Sequence, residues 1–283
     1  MHIGIFTNCD IDVGKHKAET LKKAFTERGI SAEILSVETH TPEFFYAVNR
    51  SFDVLVALGG DGTLLNLVSL TAGTEVPILG VNIGRLGFLT EIEYAAFSEK
   101  TVDEIVEGNF TTESRMLLEV EANGEKYEAL NECVVSKGSD TRPAKFQVKV
   151  NGKFLDKFIS DAYLVATPTG STGYSLSAGG PIVSPDVSAM VLNPICAHSL
   201  HARPVVVSDS SKVEISGSAA SGFVQLVLDG RSIVFLQNGT DVVIKKSTKS
   251  AKFIKLTDQG FFDKLIEKLN VWGVTKVEEH HKG

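Results

Sequence analysis

The sequence predicts an α/β domain with a parallel sheet, followed by a β-rich second domain. In the first hundred or so residues, compact apolar runs alternate with segments of helical periodicity, which is typical of right-handed βαβ units. Beyond about Thr112, short apolar stretches are separated by tight-turn signals, which is typical of antiparallel strands. We therefore assign 1–112 to the α/β domain and 113–249 to the β-rich domain, and expect 250–283 to complete the first domain.

The α/β domain is predicted from four apolar runs and the helical patterns between them. Asp53–Leu58 is a short apolar run closed by glycines, as expected for a parallel strand covered on both faces. Pro42–Asn49 begins with a proline, where the missing N–H does a helix no harm. The predicted order is strand Ile3–Thr7, helix Lys15–Arg28, strand Ser31–Val37, helix Pro42–Asn49, strand Asp53–Leu58, helix Leu64–Leu70 and strand Pro77–Ile83.

The β-rich domain is predicted from Asn-Gly and Asp-Gly pairs, which supply the positive φ angles of primed hairpin turns. These pairs are Asn123-Gly124, Asn151-Gly152, Asp229-Gly230 and Asn238-Gly239. The predicted strands around them are Met116–Ala122, Phe146–Val150, Lys212–Ile215, Phe223–Leu228 and Asp241–Lys245. A closing helix is predicted at Gln259–Leu269.

Composition excludes several classes of protein. The 283 residues are 43% hydrophobic and 22% charged, which are values of a globular chain and not of a disordered one. A formal charge of −7 argues against polymeric nucleic acid as a partner. No apolar stretch approaches the roughly 18 residues that cross a bilayer, and no leader pattern follows Met1. We therefore expect a cytoplasmic protein with no membrane partner.

Cysteines and histidines give little sign of a metal site. Cys9, Cys133 and Cys196 lack paired spacing, so reduced thiols are expected. His198 and His201 are three residues apart and could share a metal. We favour the interpretation that they are two polar residues in a connecting segment, because no third ligand lies nearby in the sequence.

The first candidate site is the run Gly59-Gly60-Asp61-Gly62-Thr63, between a buried strand and a predicted helix. Three glycines let a ligand approach the backbone closely, and the helix N-terminus that follows favours an anion. A glycine turn with Asp61 capping the helix is the structural alternative. Since a carboxylate beside phosphates makes chemical sense as a base or a metal ligand, Asp61 is the candidate catalytic residue.

Two further clusters carry polar side chains. Asn131-Glu132 suits ribose hydroxyls or a carboxamide, although taken alone a solvated hairpin end is the simpler interpretation. Asp161 leads a strand into Thr167–Pro181, which holds seven hydroxyl side chains and four glycines. Apolar residues within this run favour an ordered wall of donors over a flexible linker, with Tyr174 as a stacking or packing surface.

In this order the motifs resemble those of the NAD kinase family, over nearly the whole chain. The glycine run with Asp61 is shared with diacylglycerol and sphingosine kinases and, in variant form, with phosphofructokinases. The run Thr167–Val183 is more specific and favours NAD kinase. The motifs are Gly59-Gly60-Asp61-Gly62-Thr63, Gly84-Arg85-Leu86-Gly87-Phe88-Leu89-Thr90, Asn131-Glu132, Thr167–Val183 and Asp229-Gly230.

The resemblance implies a two-domain enzyme that receives NAD at the domain junction. It implies transfer of a phosphoryl group to the 2′-hydroxyl of the adenosine ribose, giving NADP. ATP or another phosphoryl donor is implied as co-substrate, together with a divalent ion, for which Mg²⁺ is expected. A homodimer or homotetramer is also implied, in which a neighbouring subunit completes the NAD site.

The same resemblance implies a role for each candidate residue. Asp61 matches the acidic residue beside the acceptor hydroxyl, and is assigned as general base or hydroxyl-orienting group. Gly59, Gly60 and Thr63 are assigned to the donor phosphates. The residues assigned to NAD are Gly62, Asn131, Glu132, Asp161, Thr172, Gly173, Tyr174, Ser175, Leu176 and Ser177, with Arg142 added by its position.

Five positions depart from the pattern of the family and leave donor contacts and fine substrate preference open. They are Asn66 in place of a basic residue, Ala162 in place of glycine, Gly173 in place of alanine, Ala197 in place of proline and Arg231 in place of glutamine.

Two rival functions also stay open. A lipid kinase of the diacylglycerol type would share the glycine run with Asp61, but a membrane-facing apolar or basic surface is not evident in the sequence. A non-catalytic regulator would bind NAD or NADP without transfer. The presence of Asp61 argues against a regulator, because a sensor has no use for a base there.

Overall fold

The computed structural model of the chain describes residues 1–7, 12–35, 51–84 and 87–273. Its helices are α1 Asp12–Thr26, α2 Asp61–Thr71, α3 Glu99–Glu107, α4 Tyr174–Ser177 and α5 Phe261–Gly273. Its strands are β1 His2–Thr7, β2 Ser31–Leu35, β3 Val54–Gly59, β4 Ile78–Asn82, β5 Ile92–Glu93, β6 Thr111–Ala122, β7 Glu125–Ala129, β8 Glu132–Ser136, β9 Ala144–Val150, β10 Lys153–Ser160, β11 Ala162–Ala166, β12 Ala189–Ile195, β13 Val205–Ser208, β14 Val213–Ser218, β15 Phe223–Leu228, β16 Arg231–Gln237 and β17 Asp241–Lys255.

The N-terminal part is a parallel sheet covered on both faces. Strands β1 to β4 pair in parallel in the order β4-β3-β1-β2. Helices α1 and α3 contribute Phe25 and Val102 to the core on one face, and α2 contributes Leu64 to the core on the other. The alternation of apolar runs and helical patterns predicted this layering. The predicted helix Pro42–Asn49, Cys9 and residues 36–37 of a predicted strand lie outside the described residues.

The long strand β17 joins this parallel sheet to the β-rich part. Its first residues pair antiparallel with β14, and most of its length pairs antiparallel with β6. Near its end, Phe253 pairs in parallel with Ile78 of β4. The result is one continuous sheet of eleven strands. Because β6 and β17 cross the proposed boundaries at 112 and 249, the division into two domains stays a prediction.

The second sheet has six antiparallel strands in the order β13-β12-β11-β8-β15-β16. It packs against the β-rich part of the first sheet through a shared core that includes Phe146, Tyr163 and Leu226. Alternate residues on its other face, such as Val134 and Ala162, form a smaller apolar cluster. The α/β part with its parallel sheet and the β-rich part together confirm the predicted fold class.

Three of the four predicted turn pairs have the expected conformation. Asn123, Asn151 and Asp229 have positive φ angles of 52°, 52° and 48°, and each joins two paired strands. The prediction of a hairpin at Asn238-Gly239 was wrong, because β16 and β17 lie in different sheets. There the Asn238 side chain bonds to both backbone groups of Ala219, at 3.0 and 2.8 Å, and so fixes a link between sheets.

Two further findings concern the helices and the cysteines in the described part of the chain. None of the helices in the described part has the length and the hydropathy that spanning a bilayer requires. Cys133 is buried and Cys196 is exposed, and both are free thiols.

Candidate active site

The glycine turn lies at the carboxyl end of β3, where α2 begins. A Cβ at Gly59 would overlap the side chain of Thr63, so packing requires glycine at this position. Among the described residues, nothing lies within 4 Å of a Cβ at Gly60 or Gly62, and Gly60 has an ordinary φ of −98°. Neither packing nor backbone strain in the described part of the chain requires these two glycines. Their open surface at a helix N-terminus is therefore suited to the close approach of an anionic ligand.

Asp61 is the first residue of α2, and its carboxylate is held by the following loop. Oδ2 accepts a hydrogen bond from the Phe88 N–H at 2.8 Å, and Oδ1 accepts one from the Leu89 N–H at 3.2 Å. Gly87 packs so closely on this carboxylate that a Cβ there would overlap it. The Asp61 side chain is therefore fixed in orientation while half-buried. The structural alternative, in which Asp61 merely caps α2, does not describe these contacts.

A buried carboxylate, Asp229, organises the start of β8. It accepts hydrogen bonds from the backbone N–H groups of Leu130 at 2.8 Å, Asn131 at 2.7 Å and Glu132 at 3.0 Å. Burial raises the pKa of Asp229, although these three donors oppose the shift. The sequence marked this Asp-Gly pair only as a turn and a family motif. Its role in shaping the site follows from the fold, since the contact spans about a hundred residues.

Asn131 and Glu132 bring unpartnered polar atoms to this place. Among the described residues, neither Asn131 Oδ1 nor Glu132 Oε2 has a hydrogen-bond partner, although both atoms are buried. Burial, with a smaller contribution from the charge of Asp229, raises the pKa of Glu132 to about 8. A buried polar atom without a partner is unfavourable. The site is therefore arranged for a ligand that donates to these oxygens.

The run after β11 packs directly on Asn131. The Thr167 hydroxyl donates to the Leu130 carbonyl at 2.6 Å, and the Thr167 N–H donates to the Asn131 carbonyl at 2.9 Å. A Cβ at Gly170 would overlap that same Asn131 carbonyl, so glycine is required here. A Cβ at Gly173 would come within 3.4 Å of Glu132 Oε2. The fold thus brings the second and third sequence clusters together.

Short helix α4 contributes the remaining predicted residues. Ser175 is fully buried, and among the described residues its hydroxyl has no hydrogen-bond partner. Tyr174 is 46% exposed. Thr172 donates to the Thr169 carbonyl at 3.2 Å, Leu176 is half-buried and Ser177 is exposed.

A cavity of about 320 Å³ lies on the outer face of the second sheet, beneath α4. This is the size of a small-molecule site. Of the predicted residues, Glu132, Asp161 and Tyr174 line it. The other residues that line it are Val134, Ser136, Lys137, Gly138, Ala162, Val227 and Gly230.

Of two further predicted residues, Asp161 lines this cavity and Arg142 does not. Asp161 forms an ion pair with Lys137, Oδ1 to Nζ 2.8 Å, where both side chains line the cavity. Sequence reasoning missed Lys137, because nothing in its neighbourhood marks it. Arg142 is exposed, near Asp140, and is not among the residues that line the cavity.

The glycine turn and the cavity are connected through a shared core. Leu130, next to Asn131, packs in the same hydrophobic cluster as Leu64 and Leu67 of α2. Arg115 of β6 also contacts the run after β11, because it donates a hydrogen bond to the Thr169 hydroxyl at 3.3 Å. Sequence reasoning missed this residue.

Metal ligands are sparse in this region. Within the described part of the chain, no three His, Cys, Asp or Glu side chains are grouped as a metal site. His198 and His201 use their backbone N–H groups in local hydrogen bonds, to the Ile159 carbonyl at 2.7 Å and the Ser199 hydroxyl at 3.3 Å. The favoured interpretation of these two histidines as residues of a connecting segment agrees with this placement.

An open glycine-lined helix N-terminus, an oriented carboxylate and a cavity of small-molecule size fit an enzyme that transfers a phosphoryl group. The model of the ATP-NAD kinase N-terminal domain matches residues 3–110, and that of the ATP-NAD kinase C-terminal domain matches residues 130–256. The chain therefore belongs to the NAD kinase family, as its motifs predicted.

Individual relatives agree with this assignment. The NAD kinase of Desulforamulus reducens is 45% identical over 78% of each chain. That of Heliobacterium modesticaldum is 35% identical over 94% of this chain and 98% of its own.

Solved structures agree as well. Yeast NADH kinase complexed with NADH aligns with a TM-score of 0.81 and 25% identity, over 98% of this chain and 90% of its own. An NAD kinase from Archaeoglobus fulgidus in complex with ATP aligns with a TM-score of 0.78 and 27% identity, over 96% of this chain and 100% of its own. The chain is therefore an enzyme of the phosphotransferase class.

Proposed function

We propose that this chain phosphorylates the 2′-hydroxyl of the adenosine ribose of NAD, giving NADP, with ATP as the donor. The observation that carries the proposal is the combination of an oriented carboxylate at Asp61 with a cavity lined by Glu132, whose buried Oε2 has no partner among the described residues. The relatives with bound NADH and bound ATP support the choice of the two substrates.

Asp61 orients the acceptor hydroxyl and accepts its proton. Phosphoryl transfer depends mainly on positioning and on neutralising charge, so a base that is fixed in direction suffices. Two backbone N–H groups fix the Asp61 carboxylate, and Gly62 beside it leaves room for the ribose. Gly59, Gly60 and Thr63 bind the donor phosphates at the N-terminus of α2, where the helix dipole favours anions.

NAD supplies partners for three buried polar atoms that have none among the described residues. Ribose hydroxyls donate to Glu132 Oε2 and Asn131 Oδ1, and the buried Ser175 hydroxyl binds a polar group of the dinucleotide. Tyr174 covers the ligand with its exposed ring. The other residues that we propose to line the bound dinucleotide are Asp161, Thr172, Gly173, Leu176 and Ser177, with Arg142 nearer its edge.

A divalent ion, Mg²⁺, accompanies the donor. Magnesium is usually held by one or two carboxylates together with substrate phosphates, and not by an all-protein cage. The described residues fit such an ion, because the open phosphate site at Gly60 and Gly62 lies beside the Asp61 carboxylate. When bound, the ion neutralises charge on the phosphates, while the chain orients the two substrates.

We further propose a cytoplasmic homodimer or homotetramer. The free thiols of Cys133 and Cys196 fit a reducing compartment. Exposed apolar side chains on edge strands fit burial against another copy of the chain, because unpaired edges tend to associate. Examples are Phe154 on β10 at 62% exposure and Val206 on β13 at 52%.

The test is a coupled assay of the purified protein with NAD, ATP and magnesium, in which an NADP-specific dehydrogenase reports the product. Formation of NADP that requires all three components is expected. Binding of NAD without turnover, under any donor or metal, would favour a dinucleotide-binding regulator. Activity that appears only with diacylglycerol vesicles would favour a lipid kinase.

A further inference from the structure

Two buried charged side chains and one half-buried one lie together beside the turn that binds Asp61. Glu91 is 4% exposed and Lys264 is 6% exposed. Lys255 forms an ion pair with Glu91 and is half-buried. Together with Phe88, Leu89 and the ion pair of Glu113 with Arg115, they line a small cavity. Burying charges is unfavourable unless they are paired and hydrogen-bonded, and none of these residues belongs to the proposed substrate cavity.

Glu91 fastens the segment after β17 to the start of β5. Its Oε1 accepts hydrogen bonds from the Leu256 N–H at 3.1 Å, the Thr257 N–H at 3.1 Å and the Thr257 hydroxyl at 2.8 Å. Its Oε2 is paired with Lys255 and lies 3.5 Å from Lys264 Nζ. Burial raises the pKa of Glu91, but these two cations lower it by more, so the carboxylate stays charged at neutral pH.

Lys264 reaches from α5 into the loop that follows β4. Its Nζ donates a hydrogen bond to the Thr90 carbonyl at 2.7 Å. Burial lowers the pKa of Lys264, and the charge of Glu91 opposes that shift. The hydrogen bond to its carbonyl fixes the position of Thr90 from the side of the C-terminal helix.

Thr90 passes this constraint to the turn around Asp61. Its hydroxyl accepts hydrogen bonds from the Gly87 N–H at 2.9 Å and from the Asn82 amide at 3.3 Å. Gly87 packs against the Asp61 carboxylate, and the next two N–H groups donate to it. A continuous series of hydrogen bonds and close contacts thus runs from Lys264, through Thr90, to Asp61.

We propose that Lys264, held by Glu91, is a positioning residue that orients the Asp61 carboxylate through Thr90 and the 87–89 turn. This inference rests on the catalytic role proposed for Asp61. The C-terminal helix then acts on the chemical step without touching a substrate. A displacement of reacting groups by about 1 Å can lower a rate by about a hundredfold, so a modest shift of the turn suffices.

A merely structural role predicts a different result. If the cluster only fastens α5 to the sheet, then breaking it lowers stability but leaves turnover of the folded enzyme unchanged. If it orients Asp61, then kcat falls while KM for NAD is preserved, because the substrate cavity is untouched.

The experiment compares Lys264→Met with Thr90→Val and with a matched control, Lys252→Met. Lys264→Met removes the ammonium group and keeps the stem, and Thr90→Val removes the acceptor for Gly87. Lys252 is on β17 and pairs with Glu75, and it does not line the cavity that Lys264 shares with Phe88 and Leu89. For Lys264→Met and Thr90→Val we expect kcat to fall about 10- to 100-fold, with KM for NAD within about twofold of wild type. For Lys252→Met we expect less than a twofold change in kcat.

A double-mutant cycle with Asp61→Asn separates this inference from the catalytic assignment. If Lys264 acts through Asp61, then adding Lys264→Met to Asp61→Asn changes the residual kcat by less than about twofold. An equal drop in both backgrounds, or a kcat within about twofold of wild type for both folded single variants, would overturn the positioning role alone. Wild-type turnover by Asp61→Asn would overturn both assignments. If Lys264→Met does not fold, Thr90→Val decides by the same cycle.

Discussion

The two halves of the site differ in how the chain hydrogen-bonds their carboxylates, Asp61 in one half and Glu132 in the other. Asp61 is half-buried, and the chain itself satisfies both of its oxygens with backbone N–H groups at 2.8 and 3.2 Å. Glu132 is 6% exposed, and its Oε2 has no partner among the described residues. The first carboxylate is oriented before any ligand arrives. The second has an oxygen that is available to a ligand.

This difference follows from the work proposed for each group. A base must keep one direction throughout the reaction, and fixed donors provide that direction without help from the substrate. A binding group gains most when the ligand relieves an unfavourable burial, because an unpartnered polar atom then becomes paired. The proposed base is therefore held rigidly by the chain, whereas the proposed binding group keeps a free hydrogen-bonding position for the ligand.

Asp61→Asn should have the largest effect. The amide keeps the size of the side chain but loses the basic oxygen, so the variant should fold normally and kcat should fall about 10²- to 10⁴-fold. The coupled assay measures turnover, and circular dichroism checks the fold. Near wild-type turnover by the folded variant would remove Asp61 from the mechanism.

Gly87→Ala tests whether the orientation of Asp61 matters and not only its presence. The new methyl group would overlap the Asp61 carboxylate, so kcat should fall about 10- to 100-fold with little change in KM for NAD. The matched variant is Gly60→Ala, whose methyl group meets no described residue within 4 Å.

Gly60→Ala should preserve the stability and raise KM for ATP by obstructing the phosphates. If both alanine variants change kcat and KM for ATP in the same way, the distinction between a packed Gly87 and a ligand-facing Gly60 is wrong. Separate titrations of NAD and ATP with each variant measure the two KM values.

Glu132→Gln tests the unsatisfied half of the site through stability. The carboxyl pKa is raised from 4.5 to about 8 in the folded protein. Its contribution to stability is therefore fully present below pH 4.5 and is lost as the pH rises through about 8. Glutamine does not titrate. The free energy of unfolding of Glu132→Gln, relative to wild type, should increase by about 3 kcal/mol from pH 5 to pH 8.

Urea unfolding of both proteins at several pH values measures this difference. A gap that stays constant with pH would mean that Glu132 is already ionised in the folded protein. The same series with saturating NAD is informative, because a ligand that donates to Oε2 stabilises the ionised form and should flatten the pH dependence.

The sequence predicted the first half of the site more fully than the second. Gly59 through Thr63 are contiguous, so a local pattern of strand, glycines and helix was enough to single out Asp61. The donors that orient it are also backbone groups within a motif that the sequence analysis had marked. By contrast, Asp229 holds Asn131 across 98 residues of sequence, and Lys264 reaches Thr90 across 174. Local periodicity carries no information about such pairs.

The fold class was predictable for a similar reason, and its exceptions are instructive. Strand and helix periods are local, so the parallel sheet and the antiparallel strands were both evident from the sequence. The Asn238-Gly239 pair looks like the three hairpin turns but connects two sheets, and only the tertiary pairing of β17 distinguishes it.

Lys137→Met should give the smallest effect, and it tests whether the charge of Lys137 contributes to the binding of NAD. Among the described residues that line the cavity, Lys137 is the cation, and NAD carries two phosphate charges. Its pair with Asp161 is partly exposed, with side chains at 21% and 39%, so loss of the pair should change stability by less than about 1 kcal/mol. KM for NAD should rise about two- to fivefold at low salt, and the increase should shrink at high salt because ions screen exposed charges. A KM that is unchanged at low salt would mean that the charge of Lys137 does not take part in binding NAD. Recognition would then rest on the unpartnered oxygens of the site.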